Sequence, residues 1–528
     1  MNSNKKKLLE RIQNQFGQIP DEDPEFESIV KPWKYCMDHD EPGTIDDLTW
    51  DDLDMNQVFA RLDSCMSSLG EEYLYIVLHK LGNEPDIEKR EKLMEYLEQN
   101  PELRVKLQYC LSKVGKSNYN GLIQFLNEAD DAELSFTWIY RVLAFLPLVF
   151  AVLIPFNYML GIICMLVAFG VNILVSFYAR KKIEMQLPAI RYFNSVLSCC
   201  KKICKIQDDG INDSKKNIRK GLSILRGIGS ASTGSTPNRY YANDSQVLAE
   251  YFNMITLHDI RCYNKLVRIV DKNEEACLAL CRELAELDVA IAVLSFRKSL
   301  PFYSKPHFIK GMQLNLQDIY HPLLQNPIPN SVVLSANTLI TGSNASGKST
   351  FIKAIAINGI LAVSLNTCTA RVYQAPKVPV ISSMAVRDNL SAGDSYFIAE
   401  IKSMKRVLDH VKREPYLCFI DEILKGTNTI ERIAASTAVL KYLHEQNCLC
   451  ITASHDIELT QILADEYENY HFTEQITNNE ILFDYLIKPG PSKSKNAVKL
   501  LSYINFDQKI IEDAESMVKD FEQTGKWS

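Results

Sequence analysis

The feature that most constrains this chain is the glycine-rich stretch at residues 339–350, which reads L-I-T-G-S-N-A-S-G-K-S-T. It fits G-x-x-x-x-G-K-[ST], a loop whose backbone N–H groups surround the phosphates of a nucleotide. Apolar residues before the loop predict a buried strand, and those after it predict a helix whose N-terminus faces the phosphates. The stretch therefore predicts an α/β nucleotide-binding domain.

The residue types in this loop suit the ligands that it is expected to bind. Lys348 offers a point charge for the β- and γ-phosphates, and Ser349 offers a hydroxyl for Mg²⁺. The candidate nucleotide-binding residues of the loop are Gly342, Ser343, Asn344, Ala345, Ser346, Gly347, Lys348, Ser349 and Thr350.

Two later apolar strands end in residues that complete such a site. Residues 416–420 lead to Asp421, which is placed to hold Mg²⁺, and to Glu422, which can polarise a water for attack on the γ-phosphate. Adjacent acids at the end of a buried strand are costly unless a metal or a proton uses them. Residues 448–454 lead to His455, which can donate to the γ-phosphate. The predicted catalytic residues are Glu422, Lys348 and His455.

The charge distribution limits where nucleic acid could bind. The chain has 528 residues and a net charge of −7, so attraction to DNA must come from local patches. Thirteen Asp and Glu residues lie between Asp21 and Asp54 against two lysines, so this segment should not follow a phosphate backbone. The 14 cysteines are scattered among apolar neighbours, which favours reduced structural thiols in the cytoplasm over a metal site. The first residues do not resemble a signal peptide.

A run of 38 residues from Val142 to Ala179 contains no charge. One bilayer span needs about 20 apolar residues, so this run suffices for two, with the P-F-N sequence at 155–157 as the turn. It predicts a transmembrane hairpin with helices near 136–154 and 158–178, which makes the lipid bilayer a partner through residues 136–178. The basic cluster that follows is expected on the cytoplasmic side. A helical hairpin buried in a large soluble core is the alternative.

A basic segment follows this run. From Arg180 to Arg226 there are twelve Lys and Arg residues against four Asp and Glu. Next to a membrane, the excess predicts attraction to anionic headgroups. Contact with nucleic acid is the other interpretation. The lysines expected to make that contact are Lys201, Lys202, Lys215 and Lys216. Residues 227–237 are rich in Gly and Ser and predict a flexible linker.

A second Gly/Ser turn, at residues 391–396, opens a predicted helix over residues 397–411. The N-terminus of a helix presents free N–H groups and the positive end of the helix dipole, so it can bind phosphate. This turn is separate from the loop at 342–349. In a head-to-tail dimer it would close over the nucleotide of the partner subunit.

Together these motifs resemble the C-terminal ATPase of the MutS family of DNA mismatch-repair proteins, a branch of the ABC ATPase class. Residues 342–350 are similar to the family's G-P-N-x-G-G-K-S-T. Residues 388–397, D-N-L-S-A-G-D-S-Y-F, are similar to D-D-L-x-x-G-x-S-T-F. Residues 421–429, D-E-I-L-K-G-T-N-T, are similar to D-E-I-G-R-G-T-S-T. The resemblance is strong over about 285–500 and weaker over about 45–115.

The resemblance implies that ATP and Mg²⁺ bind at the interface of a homodimer. It implies that Ser349 and Asp421 hold the metal ion, that Glu422 is the base, and that Ser395 contacts the ATP of the other subunit. The further nucleotide-binding positions that it implies are Asn344 and His455 near the γ-phosphate, together with His321, Pro322 and Gly393. Double-stranded DNA is the partner that the family suggests.

The sequence also departs from the family. Only a segment of some 45 residues, acidic overall, precedes the first predicted helices of the lever type. The mismatch-reading domain and its connector are therefore expected to be absent. The apolar run and the short basic segment occupy the interval in which the family carries long clamp helices. Leu424 and Lys425 replace the Gly-Arg that follows the two acids.

The fold class expected from all of these features is an α/β C-terminal ABC-type P-loop ATPase preceded by an all-α lever-like domain with an inserted apolar helical hairpin. The ATPase sheet is expected to be mostly parallel and flanked by helices. The predicted domains are an acidic N-terminal segment (1–44), a first lever-like region (45–130), a transmembrane hairpin (131–182), a basic helix and linker (183–244), a second lever-like region (245–305), the ATPase domain (306–510) and a C-terminal helix (511–528).

Three functions are consistent with the sequence. The first is a dimeric, cytoplasmic, DNA-binding ATPase of the mismatch-repair or recombination type, anchored in the cytoplasmic membrane. The second is a membrane-tethered mechanochemical ATPase that acts on a membrane or protein partner without mismatch recognition. The third is a scaffold with a degenerate ATPase. The loop and the acid pair favour ATP hydrolysis over the third.

Overall fold

The computed structural model describes residues 3–21, 23–37, 45–129, 134, 136–225, 256–343, 346–384, 396–476, 481–492 and 506–524. They belong to two units. The helical unit comprises Met1–His39, Leu62–Ile76 and Glu88–Lys298, and the sheet unit comprises Asp40–Arg61, Val77–Ile87 and Ser299–Ser528. A mixed α/β region therefore follows a helical N-terminal region, as the sequence predicted.

The helices, numbered in chain order, are α1 (Ser3–Gln15), α2 (Phe26–Met37), α3 (Asp47–Asp52), α4 (Met55–Leu62), α5 (Ser68–His79), α6 (Glu84–Gln99), α7 (Pro101–Leu111), α8 (Leu122–Asn127), α9 (Thr137–Leu153), α10 (Tyr158–Ile183), α11 (Leu187–Ile203), α12 (Asn212–Ile224), α13 (His258–Lys272), α14 (Glu274–Ser299), α15 (Lys348–Leu365), α16 (Tyr396–Val411), α17 (Thr429–His444), α18 (Glu458–Ile462) and α19 (Gln508–Thr524).

Helix α14 forms the centre of the helical unit and is buried on all sides from Leu284 to Arg297. Because a buried charge without a partner is costly, each charged side chain in this part of α14 is paired with another group. Glu286 accepts from Nε of Arg90 at 2.6 Å, and Arg297 donates to Glu91 at 2.5 Å. Both partners lie on α6, so two ion pairs join α6 to α14.

Asp288 is the most enclosed charge of α14. Its carboxylate accepts from the Ser67 hydroxyl at 2.6 Å and from the backbone N–H groups of Ser67 and Met66 at 2.9 and 3.0 Å. Burial raises the pKa of Asp288 to about 6 even though these bonds oppose the shift. Asp288 therefore ties α14 to the start of α5.

Helices α9 and α10 run antiparallel and pack on each other. The Asn172 side-chain amide donates to the Leu143 carbonyl at 3.0 Å, and a Cβ at Gly161 would lie 2.8 Å from the backbone N of Ile154. In the described part of the chain, two helices are long and apolar enough to cross a membrane. They are Tyr158–Lys181, whose most apolar stretch of 18 residues is 22% buried, and Lys348–Leu365, for which the corresponding stretch is 83% buried.

The basic segment forms α11 and α12. Lys201, Lys202 and Lys216 are exposed, whereas Lys215 is buried and its ammonium donates to the carbonyls of Ile206 and Asp208 at 3.4 and 2.5 Å. Its burial between the two helices keeps this ammonium away from a phosphate backbone at the protein surface. Lys215 therefore differs from the sequence prediction and stabilises the turn between the two helices.

The strands of the sheet unit are β1 (His307–Phe308), β2 (Leu314–Ile319), β3 (Asn330–Leu334), β4 (Thr338–Thr341), β5 (Val372–Ala375), β6 (Val380–Ser383), β7 (Tyr416–Asp421), β8 (Cys448–Ala453), β9 (Glu468–His471), β10 (Glu474–Ile476), β11 (Ile481–Phe483) and β12 (Lys488–Pro489). The main sheet has the order β12-β9-β4-β8-β7-β6, and a four-stranded sheet has the order β1-β5-β2-β3. Strands β10 and β11 pair with each other.

The main sheet is parallel except for β12, which runs antiparallel to β9. Every residue of β4 and β8 is buried, as expected for parallel strands that are covered on both faces. Leu339, Cys418 and Cys450 belong to one core cluster with residues of α16 and α17.

Residues 45–61 and 77–87 belong to the sheet unit, whereas the sequence analysis placed 45–130 in one lever-like region. The reason lies in α3. The buried Asp52 carboxylate accepts from the Ser382 hydroxyl at 2.8 Å and from the Met384 N–H at 2.9 Å. Helix α3 thereby fixes the end of β6.

Candidate functional site

Three strand ends meet at one edge of the main sheet. Ala453 of β8 pairs with Ile340 of β4 on one side and with Asp421 of β7 on the other. The Glu422 N–H donates to the Ala453 carbonyl at 3.0 Å, which continues the ladder by one residue. Because the strands are parallel, the loop after β4, the acid pair after β7 and the histidine after β8 leave the sheet at the same edge.

The glycines of the loop occupy positions that a side chain could not. Gly342 has φ of 138°, and a Cβ there would lie 2.7 Å from the Phe472 carbonyl oxygen. Gly347 has φ of 100° and caps α15, which begins at Lys348. Residues with a Cβ rarely adopt such angles, so the loop needs glycine at both turns. The predicted ligands Asn344 and Ala345 lie outside the described residues.

The Lys348 side chain lies inside the loop. Its ammonium donates to the carbonyls of Gly342 and Ser343 at 2.7 and 2.8 Å. Burial lowers the pKa of Lys348 to about 8, although nearby acids, Asp421 first, act in the opposite direction. A buried cation that is held only by neutral carbonyls is suited to exchange them for the anionic oxygens of a phosphate.

A carboxylate that the sequence analysis did not select also reaches the loop. Glu474, the first residue of β10, is buried and accepts from the Ser343 hydroxyl at 3.1 Å. The Ser346 hydroxyl donates to the Ser343 carbonyl at 2.7 Å, so Ser343 is held from two sides. Glu474 lies in a short polar hairpin without a motif, and no pattern in the sequence pointed to it.

Glu422 lies between an imidazole and an ammonium group. His455 Nε2 is 2.9 Å from one of its carboxylate oxygens, and Lys425 Nζ is 3.2 Å from the other. Burial alone would raise the pKa of Glu422, but the hydrogen bond from His455 and the charge of Lys425 outweigh it and lower the pKa to about 2. In this arrangement Glu422 is a weak base, so it must leave these partners to accept a proton.

The turn after the acid pair is strained and is supported from a second helix. Glu422 has φ of 62° and Leu424 has φ of 55°, a conformation that favours glycine. The buried Glu400 of α16 accepts from the N–H groups of Lys425 and Gly426 at 3.2 and 3.3 Å. Sequence reasoning missed Glu400, although it lies five residues after Ser395 in the predicted signature helix.

The remaining predicted site residues lie at varied positions. Ser349 is half-buried and Thr350 is exposed in the first turn of α15. His321 follows β2, and its pKa falls to about 4 because of burial and, secondarily, the nearby charge of Lys353 in α15. Pro322 beside it is buried. His321 therefore lies near the helix that follows the phosphate loop.

Two predicted nucleotide-binding residues, Gly393 and Ser395, lie outside the described residues. The structure describes the helix that follows them, α16, from Tyr396 onward. The role of both residues stays a prediction.

Comparison with known proteins points to one family. Residues 338–522 match the family model of MutS domain V. The chain is 28% identical to the DNA mismatch repair protein MutS of Thermus thermophilus over 254 residues, which are 47% of this chain and 31% of that protein. It is 27% identical to the protein of the same name from Leptospira interrogans over 352 residues, or 60% of this chain and 41% of that protein.

A third relative gives a similar picture. The DNA mismatch repair protein MutS of Lactobacillus delbrueckii subsp. bulgaricus is 28% identical over 303 residues, which are 53% of this chain and 35% of that protein. The chain thus spans between 31% and 41% of the lengths of these curated relatives.

Proposed function

Because the chain belongs to the MutS family through its C-terminal domain V, we propose that it binds ATP with Mg²⁺ and hydrolyses it to ADP and phosphate. The observation that carries this proposal is the common sheet edge at which Lys348, Glu422 and His455 meet. A glycine loop with a buried lysine is a phosphate-binding element, and a carboxylate beside it can activate water.

The chemistry follows from the side chains at this edge. Lys348 transfers its hydrogen bonds from the loop carbonyls to phosphate oxygens when nucleotide enters. His455 turns from Glu422 to the γ-phosphate, and this releases Glu422 to orient the attacking water. The loss of the His455 bond raises the pKa of Glu422 from about 2 and makes it a better base.

The metal site is part of the same proposal. The Ser349 hydroxyl and the Asp421 carboxylate are hard oxygen ligands, which Mg²⁺ prefers. Asp421 ends β7 at the same sheet edge, and Ser349 lies in the first turn of α15. Bound Mg²⁺ would neutralise charge on the phosphates.

The test is the Glu422→Gln variant of the full chain. It keeps the shape of the side chain but removes the base, so we expect kcat to fall about 10² to 10⁴-fold while ATP binding persists. Glu445→Gln, at an exposed position, is the matched control and should hydrolyse ATP at the wild-type rate. A wild-type chain that binds ATP without turnover would favour the scaffold function instead.

We also propose that two copies share their ATP sites, with Ser395 of one contacting the nucleotide of the other, and that the dimer binds double-stranded DNA. The named relatives are DNA mismatch repair proteins, which supports this proposal. Exposed Lys201, Lys202 and Lys216 supply positive charge.

The DNA-binding proposal predicts ATP-sensitive retention of DNA duplexes that weakens steeply with salt. Replacement of Lys201 and Lys202 by alanine should reduce both the affinity and its salt dependence. Absence of retention at low salt on intact, mismatched and branched duplexes would contradict the DNA function, whatever the ATPase rate.

The second candidate is a membrane-tethered ATPase. The observation that favours it is the surface of α9 and α10, where Leu148, Phe156 and Leu166 are 63%, 86% and 59% exposed. Soluble monomers rarely expose a continuous apolar patch of this kind. We propose that this hairpin anchors a cytoplasmic ATPase in the cytoplasmic membrane. Sedimentation of the protein with membranes that resists high salt is expected, and recovery in the soluble fraction would contradict it.

A further inference from the structure

The structure indicates how deeply the hairpin of α9 and α10 enters a bilayer. We infer that the hairpin inserts from one side only, with its tip at residues 154–159 inside the hydrocarbon, and does not emerge on the far side. The inference rests on the proposed membrane attachment, and it differs from the transmembrane hairpin that the sequence predicted.

The shorter helix limits the depth of insertion. In α9, the exposed Arg141 leaves twelve uncharged residues before the helix ends at Leu153. At about 1.5 Å per residue these rise about 18 Å, whereas the hydrocarbon core is about 30 Å thick. Helix α10 has 22 uncharged residues from Tyr158 to Ala179, which rise about 33 Å. The two arms therefore cannot both cross the core while Arg141 stays in the headgroup region.

Helix α13 packs along the N-terminal part of α9 and further shortens the length of α9 that lipid could cover. Arg268 donates to the Thr137 hydroxyl at 2.6 Å, and the Arg261 guanidinium lies 6.0 Å from the centre of the Phe145 ring. These contacts place two cations beside α9 along its first nine residues. A charge at the centre of a bilayer costs about 2.5–3.5 kcal/mol, so this part of α9 stays outside the core.

Beyond Phe145, α9 continues over residues 146–153, which rise about 12 Å, close to the thickness of the hydrocarbon in one leaflet. The charge of Arg141 and the contacts with α13 thus limit the inserted length of α9 to about 18 Å and about 12 Å, and both lengths are shorter than the core of about 30 Å.

The chemistry of the tip agrees with that depth. Residues 154–159 read I-P-F-N-Y-M and carry no charge, and Phe156 and Tyr158 are 86% and 72% exposed. The polar group of Asn157 is used within the protein, since its side chain accepts from the Leu160 N–H at 3.1 Å. A tip that emerged into water would leave its aromatic rings exposed, whereas hydrocarbon covers them.

The base of the hairpin has the opposite character. Arg141 and Lys181 are exposed there, one on each arm, and Trp138 and Tyr178 are 62% and 75% exposed beside them. Aromatic and basic side chains concentrate at the membrane–water interface, where anionic headgroups attract the cations. On α9 these side chains fit the headgroup layer of the leaflet that holds the tip, whereas Tyr178 and Lys181 of the longer α10 lie further from the tip.

A fluorescent probe on the tip tests this inference. The full chain with Cys164→Ser and Phe156→Cys is labelled with a polarity-sensitive fluorophore and added to vesicles of phosphatidylcholine and phosphatidylglycerol. We expect quenching by a nitroxide deep in the acyl chain to exceed quenching by a headgroup nitroxide. Iodide trapped in the vesicle lumen should not quench. The same probe at Tyr178→Cys should show the reverse order for the two lipids, and the Cys164→Ser chain gives the labelling background.

Each other outcome has a defined meaning. Quenching by lumenal iodide would show that the tip crosses the bilayer and would overturn the inference while leaving membrane attachment intact. Vesicle binding without quenching by either lipid would mean that a second copy covers the tip, which also overturns it. A chain that does not float with vesicles would contradict the membrane attachment itself. If Phe156→Cys does not fold, Tyr158→Cys places the probe on the same tip.

Discussion

Two long, apolar helices of this protein have opposite surroundings. Lys348–Leu365 follows the phosphate loop, and its most apolar stretch of 18 residues is 83% buried. In Tyr158–Lys181 the corresponding stretch is 22% buried. By length and apolarity alone, both could cross a membrane. The neighbours of each helix explain the difference, because parallel strands cover the first helix, whereas α9 and α13 pack against the second. The apolar composition of a helix therefore predicts that the helix is shielded from water, but it does not predict whether protein or lipid surrounds it.

The largest expected effect contrasts these two helices directly. Ile355→Lys puts a charge at a fully buried position of α15, and Leu166→Lys puts one at an exposed position of α10. An unpaired buried charge destabilises a domain by about 3–5 kcal/mol, so Ile355→Lys should unfold the sheet unit. Leu166→Lys should leave urea unfolding unchanged and weaken flotation with vesicles. Equal loss of stability in both variants would show that α10 is enclosed by protein.

The same dependence on surroundings appears in two carboxylates. Burial raises the pKa of Glu72 to about 8, although the side-chain amide of Asn120 donates to it at 3.2 Å. Glu422 accepts a hydrogen bond from His455 and lies beside the charge of Lys425, and its pKa falls to about 2. The two pKa values make opposite contributions to the dependence of stability on pH.

The Glu72→Gln variant measures this contribution. Because the folded pKa of Glu72 lies above the unfolded value of 4.5, its stabilising contribution is complete below pH 4.5 and is lost as the pH rises through 8. We expect the variant to lack this loss, with a gain of about 4 kcal/mol over wild type at pH 8. Denaturant unfolding at pH 5 and pH 8 is the measurement, and Glu98→Gln, at an exposed position of α6, is the control. A wild-type stability that does not fall over this range would contradict the assignment.

The sequence predicted those parts of the site whose residues lie in contiguous motifs along the chain. The phosphate loop, the acid pair and His455 belong to contiguous strands with fixed motifs, and the parallel register brings them together. Glu400 and Glu474 reach the site only through tertiary packing, which no spacing along the chain encodes. The position of α3 against β6 was missed for the same reason, since the buried Asp52 looked like one more acid in an acidic segment.

The insertion depth that we propose for the hairpin could not be predicted from the sequence pattern either. The uncharged run of 38 residues is long enough for two spans, and only the turn divides it into arms of unequal length. Arg261 and Arg268, which limit the insertion of α9, come from a helix more than 100 residues later. If the hairpin inserts from one side as proposed, a count of apolar residues overestimates how much of it lipid covers.

A smaller effect is expected at Glu400, which connects the helix after Ser395 to the turn that carries Lys425. Glu400→Gln replaces one acceptor by a donor while keeping the volume, so the N–H groups of Lys425 and Gly426 lose part of their support. We expect kcat to fall roughly tenfold with KM for ATP unchanged, because Glu400 positions the loop beside Glu422 without touching nucleotide.

The control for Glu400 lies on the same helix. Asp409→Asn changes an exposed carboxylate that pairs with Lys405, and it should leave kcat and KM unchanged. If Glu400→Gln raised KM or lowered stability by an amount that accounted for the lost activity, Glu400 would have only a structural role.

The smallest effect concerns Leu424, where the side chain contacts the core and the backbone has φ of 55°. Substitution by either alanine or glycine removes the same packing, but glycine also relieves a left-handed conformation that costs about 1 kcal/mol. Leu424→Gly should therefore be about 1 kcal/mol more stable than Leu424→Ala in urea unfolding. At Leu440, which is buried in the interior of α17, the order should reverse because glycine weakens a helix interior by about 0.5–1 kcal/mol. The same order at both positions would mean that the turn after the acid pair adopts another conformation in solution.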